Sequence, residues 1–526
     1  MKVLVLDGVE EEGLAALRAE SDIEVDVRSK LTEDELVDII AEYDGMIVRS
    51  ATKVTARVLE QASKLKVVGR AGVGVDNIDV AAATDKGVLV VNAPDGNTIA
   101  AAEHTIAMMM SLARNIPQAS STLRSGKWDK KSFMGVELRD KVLSIIGLGR
   151  IGTAVAKRAQ GLEMKVVAYD PYLTEERAQM LGAQLLPLED ILMMADFITC
   201  HIPLTKDSKY ILGAKAFSLM KPGVRIINCA RGGVVDEQAL YEAMQTGKVA
   251  GAAFDVFEKE PNTDSPLFAF NNFIATPHLG ASTSEAQLCV ACDVSQELIA
   301  ALHGEFVKNA VNIPSMSPKV MATVKPYLNL AEKMGKFCAQ LIDGRVSKVE
   351  VTYNGELANQ EVAPLTTTLI KGFLDTILQV KVNFVNAPVL ARNRGINVVQ
   401  QQAVGEGDYA NLITVKAVSD REEISVAGTN FGKVDPRIVS IDGYHVDAIP
   451  EGHMLYVPHI DKPRIIGPVC NLIGAHDINI SGMQVGRKII GGKAVMLLNV
   501  DAPVPEETMP EIAKIDGVLS VRNVSI

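Results

Sequence analysis

Short apolar runs rich in valine and isoleucine alternate, through the first ninety residues, with stretches whose apolar positions recur every three or four residues. The runs fall at Lys2 to Leu6, Ile23 to Val27, Met46 to Val48, Val67 to Val68 and Val88 to Val91. Strands alternating with helices predict an α/β unit with a parallel sheet. An alanine-rich helical pattern then runs from Asn97 or Thr98 to Arg114, and a second from about Thr283 to His303. Between them lies another α/β series, so the two long helices read as crossings. The chain leaves the first unit, builds a second from about residue 98 to 284, and returns to finish the first near residue 310. A cleft that closes by hinging follows from such a path.

The second unit opens with Lys141 to Asp170, KVLSIIGLGRIGTAVAKRAQGLEMKVVAYD, which shows strand, glycine turn, helix and strand in succession. Gly147, Gly149 and Gly152 stand at the G-x-G-x-x-G spacing, respectively permitting a tight turn, close approach of backbone to a pyrophosphate, and close packing of helix on sheet. The helix from Arg150 offers free N–H groups to phosphates. Asp170 ends the second strand eighteen residues after Gly152, where a carboxylate takes the adenosine ribose hydroxyls. A 2′-phosphate about 4 Å from it would meet repulsion of roughly 4 kcal/mol per unit charge, which selects NAD over NADP.

NIPSMSP, after Val311, marks a boundary. Beyond it, helical runs at Val324 to Leu341 and Leu365 to Leu378 mix with strand runs at Val349 to Tyr353, Leu412 to Val418 and Ile424 to Ala427, an α+β domain without a catalytic constellation. From Met454 the order is strand, helix, strand, strand, helix, strand, a ferredoxin-like unit.

Composition narrows the function. A net charge of −11 over 526 residues argues against a nucleic-acid partner, and no apolar run reaches bilayer-spanning length, which argues against a membrane. With no cleavable signal at Met1 to Leu6 and six scattered cysteines, the expected compartment is cytoplasmic and the thiols reduced. Cys289 and Cys292 form a C-x-x-C in a helical stretch with no partner pair, so no metal site is expected.

The candidate chemistry sits at strand ends. Arg49 and Arg70 follow two strands of the first unit, where open parallel sheets collect ligands, and they suit an anionic substrate. In the second unit Arg231 follows one apolar run, Glu258 and Glu260 another, and His278 a third. An arginine, a carboxylate and a histidine are the parts for oxidising a 2-hydroxy acid: a base for the hydroxyl proton, a fork for the substrate carboxylate, and an acid that orients the imidazole. His201 in CHIPLT is a rival base and His104 a weaker one, and residue logic leaves the three open.

The motifs GRAGVGVDNID, GLGRIG with AYDP, CHIPLT, NCARGGVVDE, AAFDVFEKEP and TPHLGAST, in that order, resemble those of the NAD-dependent D-2-hydroxyacid dehydrogenases. GKWDKKSFMG and the long C-terminal extension are similar to the long-form branch that acts on 3-phosphoglycerate. The resemblance implies Arg231, Glu260 and His278 as the catalytic set. It places Gly147, Gly149, Arg150, Ile151, Gly152, Asp170, Cys229, Ala230, Arg231, Asp255, His278, Gly280 and Ala281 around NAD. It implies oxidation of 3-phosphoglycerate to 3-phosphohydroxypyruvate, the first step of serine synthesis, with Arg49, Arg70, Arg231 and His278 on the substrate and Lys130 or Lys131, near Trp128, reaching over from a neighbouring subunit of a dimer or tetramer.

The implied architecture is two doubly wound parallel-sheet domains, with a Rossmann NAD-binding domain (98–284) inserted in a discontinuous substrate domain (1–97 and 285–316). An α+β intervening domain (317–451) and a ferredoxin-like ACT regulatory domain (452–526) follow. HIDKPRIIGPV and HDINISGMQVGR resemble the ACT effector region, with Asp461 and Asn479 as contacts for L-serine. Arg464 departs from it by standing where the turn usually has glycine. Other readings are a hydroxypyruvate or glyoxylate reductase of the same family, an NAD-sensing co-repressor, and a non-catalytic amino-acid sensor.

Overall fold

The computed structural model describes residues 1–305, 307–314, 318–403, 408–432 and 434–526. Its first sheet has five parallel strands in the order Glu24–Val27, Lys2–Val5, Gly45–Val48, Val67–Arg70, Leu89–Asn92. Gly45–Val48 is buried along its whole length, as the continuous apolar run requires of a central parallel strand. Helix Ser284–Leu302 covers one face, with Val290, Val294 and Leu298 against Val3, Val5 and Ile47, although the second α/β series separates it from these strands in the chain. The return is fastened by a bridge between Val91 and Ala310 and by Asn312, whose side chain accepts from Val90 N and donates to Val88 O.

The second sheet has seven parallel strands, in the order Phe273–Ala275, Val249–Phe254, Val224–Asn228, Phe197–Cys200, Val142–Ile146, Lys165–Tyr169, Gln184–Leu185. The direction of build reverses between Val142–Ile146 and Phe197–Cys200, which opens a crevice at their carboxyl ends. Helix Thr98–Arg114 packs here through Met108, Met109 and Leu112, against Ile145 and Phe197.

The third sheet runs Asn397–Ala403, Val346–Gly355, Asn411–Ser419, Glu423–Phe431, Asp435–Ile441, Tyr444–Ala448, with only the first pair parallel. The sequence pattern gave three of these strands. Asn397–Ala403 is a polar edge ending in three glutamines and an alanine, Tyr444–Ala448 is a short edge, and Asp435–Ile441 carries Pro436, so none of the three shows a plain apolar run. Helix Pro318–Leu341 begins before the expected Val324 and continues through Pro326. The NIPSMSP boundary falls partly on 315–317, outside the described residues.

The fourth sheet is antiparallel, ordered Ile480–Arg487, Lys493–Val500, His453–Ile460, Arg522–Ser525, with helices Ile466–Ala475 and Met509–Ala513 on one face. Strand alternation splits its core. Leu455 and Val457 pack with Val469, Ile473 and Ile512, whereas Met454 and Tyr456 join the core built on the third sheet. The side chain of Arg522 ties the two further, donating from two nitrogens to the Asp343 carboxylate at 3.0 and 2.7 Å. Among the described residues no helix is long and apolar enough to cross a membrane.

Candidate active site

The glycine turn is built as its sequence demands. Gly147 has φ +92°, and a Cβ there would lie 2.5 Å from Ile202 and 2.6 Å from the His201 carbonyl oxygen. A Cβ at Gly152 would lie 2.1 Å from the Gly147 carbonyl oxygen, so helix Arg150–Gly161 seats against the turn only with glycine there. Over Gly149 a Cβ would meet nothing within 4 Å. That open space at the helix N-terminus is the cradle a pyrophosphate needs, and the donor set fits NAD. Asp170 accepts from Leu148 N at 3.0 Å and Tyr172 N at 3.0 Å, pinning the turn, with lone pairs remaining for a ribose. Arg150 is exposed and paired with Asp95 at 2.6 Å, a partner on the other side of the cleft that the sequence reading did not single out. Ile151 is half-buried in the first turn of that helix.

Across the crevice three arginines converge. Asp7 accepts from Arg49 N (2.9 Å) and from both the N–H and hydroxyl of Thr52, and the Asn77 amide donates to the Arg49 carbonyl at 2.7 Å, so the loop after Gly45–Val48 is fixed. The Arg70 guanidinium is largely buried, and its Nε has no hydrogen-bond partner. Burial, then the charges of Arg231 and Arg49, push its pKa down to about 10, still fully protonated at neutral pH. Gly72 has φ +148° and leaves room for that side chain; a Cβ would lie 1.5 Å from Arg70 Nη1. Arg231 donates through Nε to Asp76 at 3.0 Å and through Nη1 to the Ala230 carbonyl at 2.7 Å. Its loop, which includes Cys229 and Ala230, is tied by Asn228, whose amide donates to the Arg231 carbonyl and whose oxygen accepts from Ala230 N. Asp76 and Asn228 were missed by the sequence reading, though Asn228 stands at the head of the CARGG motif. Burial pushes the Cys229 thiol up to about 12, so it remains protonated.

His278 Nδ1 lies 2.8 Å from Glu260 Oε2, and Glu260 Oε1 accepts from Phe257 N at 3.0 Å. The Glu260 bond raises the His278 pKa above the ordinary value, against a smaller opposing effect of burial. Burial works to raise the Glu260 carboxyl, but the bonds from His278 and Phe257 N outweigh it and hold it low. The Arg231 charge also bears on His278, opposing its protonation, so the guanidinium and the imidazole lie near each other. Glu258 faces away, accepting from the Tyr210 hydroxyl at 3.0 Å and meeting the start of helix Glu237–Gln245. Asp255 is buried and accepts from Thr276, Leu279 N and Gly280 N, which sets the backbone around His278, Gly280 and Ala281.

The rival histidines are elsewhere engaged. His201 is bonded to Thr199 at 3.1 Å under the glycine turn, and burial pushes its pKa down to about 4. His104 is bonded to Thr276 and Asp255. Trp128, Lys130 and Lys131 lie on an exposed loop capped by Asp129, which accepts from Lys131 N and Ser132 N. In the fourth sheet Asp461 accepts from Arg487 at 3.0 Å and from Gly491 N, while the Asn479 amide donates to Asp501 at 3.1 Å, so the two expected effector contacts each already hold a partner. Arg464 has φ +69°, a region that favours glycine. Cys289 and Cys292 lie on helix Ser284–Leu302 as free thiols.

Fold, glycine cradle and the histidine, carboxylate and arginine set define a nicotinamide-linked dehydrogenase of D-2-hydroxyacids. A sequence model described as "D-isomer specific 2-hydroxyacid dehydrogenase, NAD binding domain" matches residues 106–280, and one described as "D-3-phosphoglycerate dehydrogenase intervening domain" matches residues 323–442. The chain is 46% identical to the D-3-phosphoglycerate dehydrogenase of Methanocaldococcus jannaschii, covering 100% of both chains. It is 44% identical to that of Bacillus subtilis, covering 100% of this chain and 99% of that one. The apo-structure of D-lactate dehydrogenase from Escherichia coli superposes with TM-score 0.53 and 28% identity over 59% of this chain and 100% of that chain. The chain belongs to the D-3-phosphoglycerate dehydrogenase family.

Proposed function

We propose that the chain oxidises 3-phospho-D-glycerate to 3-phosphohydroxypyruvate with NAD, the step that opens L-serine biosynthesis. One observation carries the reading beyond the dehydrogenase class. Arg49, Arg70 and Arg231 point their charges into one crevice beside the His278–Glu260 pair, and the buried Arg70 Nε has no partner. A substrate carrying both a carboxylate and a phosphate answers that excess of cations; a small unphosphorylated acid leaves part of it unanswered.

Arg231 takes the substrate carboxylate with its Nη groups while Asp76 holds Nε. Arg49 and Arg70 take the phosphate, joined by Lys130 or Lys131 of a neighbouring copy. Glu260 holds Nδ1 of His278, so Nε2 is the atom that faces the hydroxyl, removes its proton in oxidation and returns it in reduction. Gly147, Gly149, Arg150, Ile151, Gly152, Asp170, the Cys229–Arg231 and His278–Ala281 loops and Asp255 hold the cofactor. When bound, NAD supplies the hydride acceptor. The protein works in the cytoplasm as a homodimer or homotetramer. L-serine binds the ferredoxin-like unit at Asp461 and Asn479, its ammonium displacing Arg487 from Asp461.

The test follows NADH absorbance with 3-phosphohydroxypyruvate beside hydroxypyruvate, glyoxylate and 2-oxoglutarate. Fast turnover confined largely to the phosphorylated acid is expected. Turnover only on unphosphorylated acids would move the chain to another substrate, and silence on all four would sink the enzymatic reading. Adding serine to the active reaction tests the effector site, where an unchanged rate at every serine concentration removes it.

A further inference from the structure

His104 has no part in the mechanism above, yet it is bonded to the residue from which the catalytic loop hangs. Its Nε2 lies 3.2 Å from Thr276 Oγ1 and 3.2 Å from Asp255 Oδ1. The Asp255 side chain is 1% exposed, and the Thr276 hydroxyl spends its single proton on Asp255 Oδ1 at 2.6 Å. Toward His104, therefore, both neighbours present only lone pairs, and Nε2 carries the proton that it donates to them.

What Asp255 does with its remaining capacity bears on the base. Its Oδ1 accepts from Leu279 N at 2.7 Å, its Oδ2 from Gly280 N at 2.8 Å, and its carbonyl from His278 N at 2.9 Å. His278 itself has φ +57°, a left-handed conformation that an L side chain adopts only when neighbours impose it. The amides that impose it are those bonded to Asp255. A buried carboxylate keeps its charge and orientation only while enough donors face it, and His104 is the donor that comes from a separate element, helix Thr98–Arg114.

We propose that His104 is a positioning residue for the reaction: its Nε2–H holds Asp255 in the orientation that fixes the Leu279–Gly280 turn and thereby aims the His278 imidazole into the cleft. Helix Thr98–Arg114 leads out of the first unit, so the same bond ties the path between the units to the base. The inference rests on His278 being the base, as proposed above.

Two variants separate a donor from a filler of space. His104→Gln keeps an N–H that reaches the carboxylate, and His104→Leu does not. The leucine variant should lose about ten- to a hundredfold in kcat for reduction of 3-phosphohydroxypyruvate at saturating NADH, with KM for that acid within about threefold of the parent. The glutamine variant should stay within about threefold in kcat. In the cofactor-free protein, selectively labelled His278 should show its ring resonances displaced or broadened by leucine and little changed by glutamine.

Equal loss in both variants, a leucine variant with parental kcat, or a His278 signal indifferent to leucine would each overturn the proposal. If the parent fails to reduce 3-phosphohydroxypyruvate while the His278 signal still follows residue 104 in this way, the substrate reading falls and the positioning role stands.

Discussion

In the proposed mechanism Glu260 does two things for His278: it occupies Nδ1, leaving Nε2 for the substrate, and it favours the charged imidazolium. The sign of a pH effect follows. Reduction needs the imidazolium, so its kcat/KM falls as pH rises through the His278 pKa, which Glu260 holds above the ordinary value. Glu260→Gln removes the raising influence and leaves the burial that opposes it. The fall should therefore move to lower pH, and the reduction rate at neutral pH should drop about a hundredfold. A pH profile of kcat/KM in the reducing direction reads this directly, and an unmoved limb would mean that another group titrates. Arg231→Lys keeps the charge and loses the planar fork that Asp76 and the Ala230 carbonyl hold in place, so KM for the phosphorylated acid should rise about tenfold or more. At this scale residue types were legible in the sequence and partners were not. Glu258 and Glu260 are two apart in one loop, and only the fold turns one to Tyr210 and the other to His278. His201 at a strand end reads as a base until its burial is seen.

The glycine turn shows what an element can specify by itself. Gly149 and Gly152 look alike in sequence, yet one faces open space and the other a backbone oxygen at 2.1 Å from a would-be Cβ. Their alanine variants should therefore fail differently. Gly149→Ala should keep the parental melting temperature and lose NADH affinity, because its methyl enters only the cradle. Gly152→Ala should lose both, since helix and turn must part, at a cost of about 1–3 kcal/mol. Thermal unfolding with and without NADH distinguishes them, and a Gly149→Ala protein that binds NADH normally would show that the pyrophosphate lies elsewhere. Strand, turn and helix were legible here because valine and isoleucine runs, glycine spacing and a terminal carboxylate all state one geometry. Elements failed to show where polarity hides them: Asn397–Ala403 forms a sheet edge from a sequence that propensity alone would leave as loop.

Across the whole molecule the active-site halves meet through ion pairs, Arg231 with Asp76 and Arg150 with Asp95, while the unit built on the third sheet meets the turn before Leu89–Asn92 through Asn383, whose amide donates to the Gly87 carbonyl at 2.6 Å. Two long helices of matching pattern stand in the sequence, and the second of them, Ser284–Leu302, packs on the first sheet. What a single chain leaves uncovered was not legible there. Helix Ile116–Arg124 has no buried residue: Ile116 and Leu123 stand 51% and 54% exposed, and in the loop that follows Trp128 and Met134 stand 79% and 85% exposed. A nine-residue helix of this kind gains little from its own chain, and several large exposed apolar side chains within one short segment suit a contact surface. On the proposed reading the occupant is a second copy of the chain, which would also bring Lys130 and Lys131 to a neighbouring crevice. The parent should sediment as a dimer or tetramer, and Leu123→Asp, which buries a charge in that contact, should shift it toward monomer. The monomeric variant should retain its NADH dissociation constant, since the glycine cradle lies within one chain, while its KM for 3-phosphohydroxypyruvate rises about tenfold with the loss of one phosphate cation. A parent that sediments as a monomer with full activity would assign the phosphate to Arg49 and Arg70 alone.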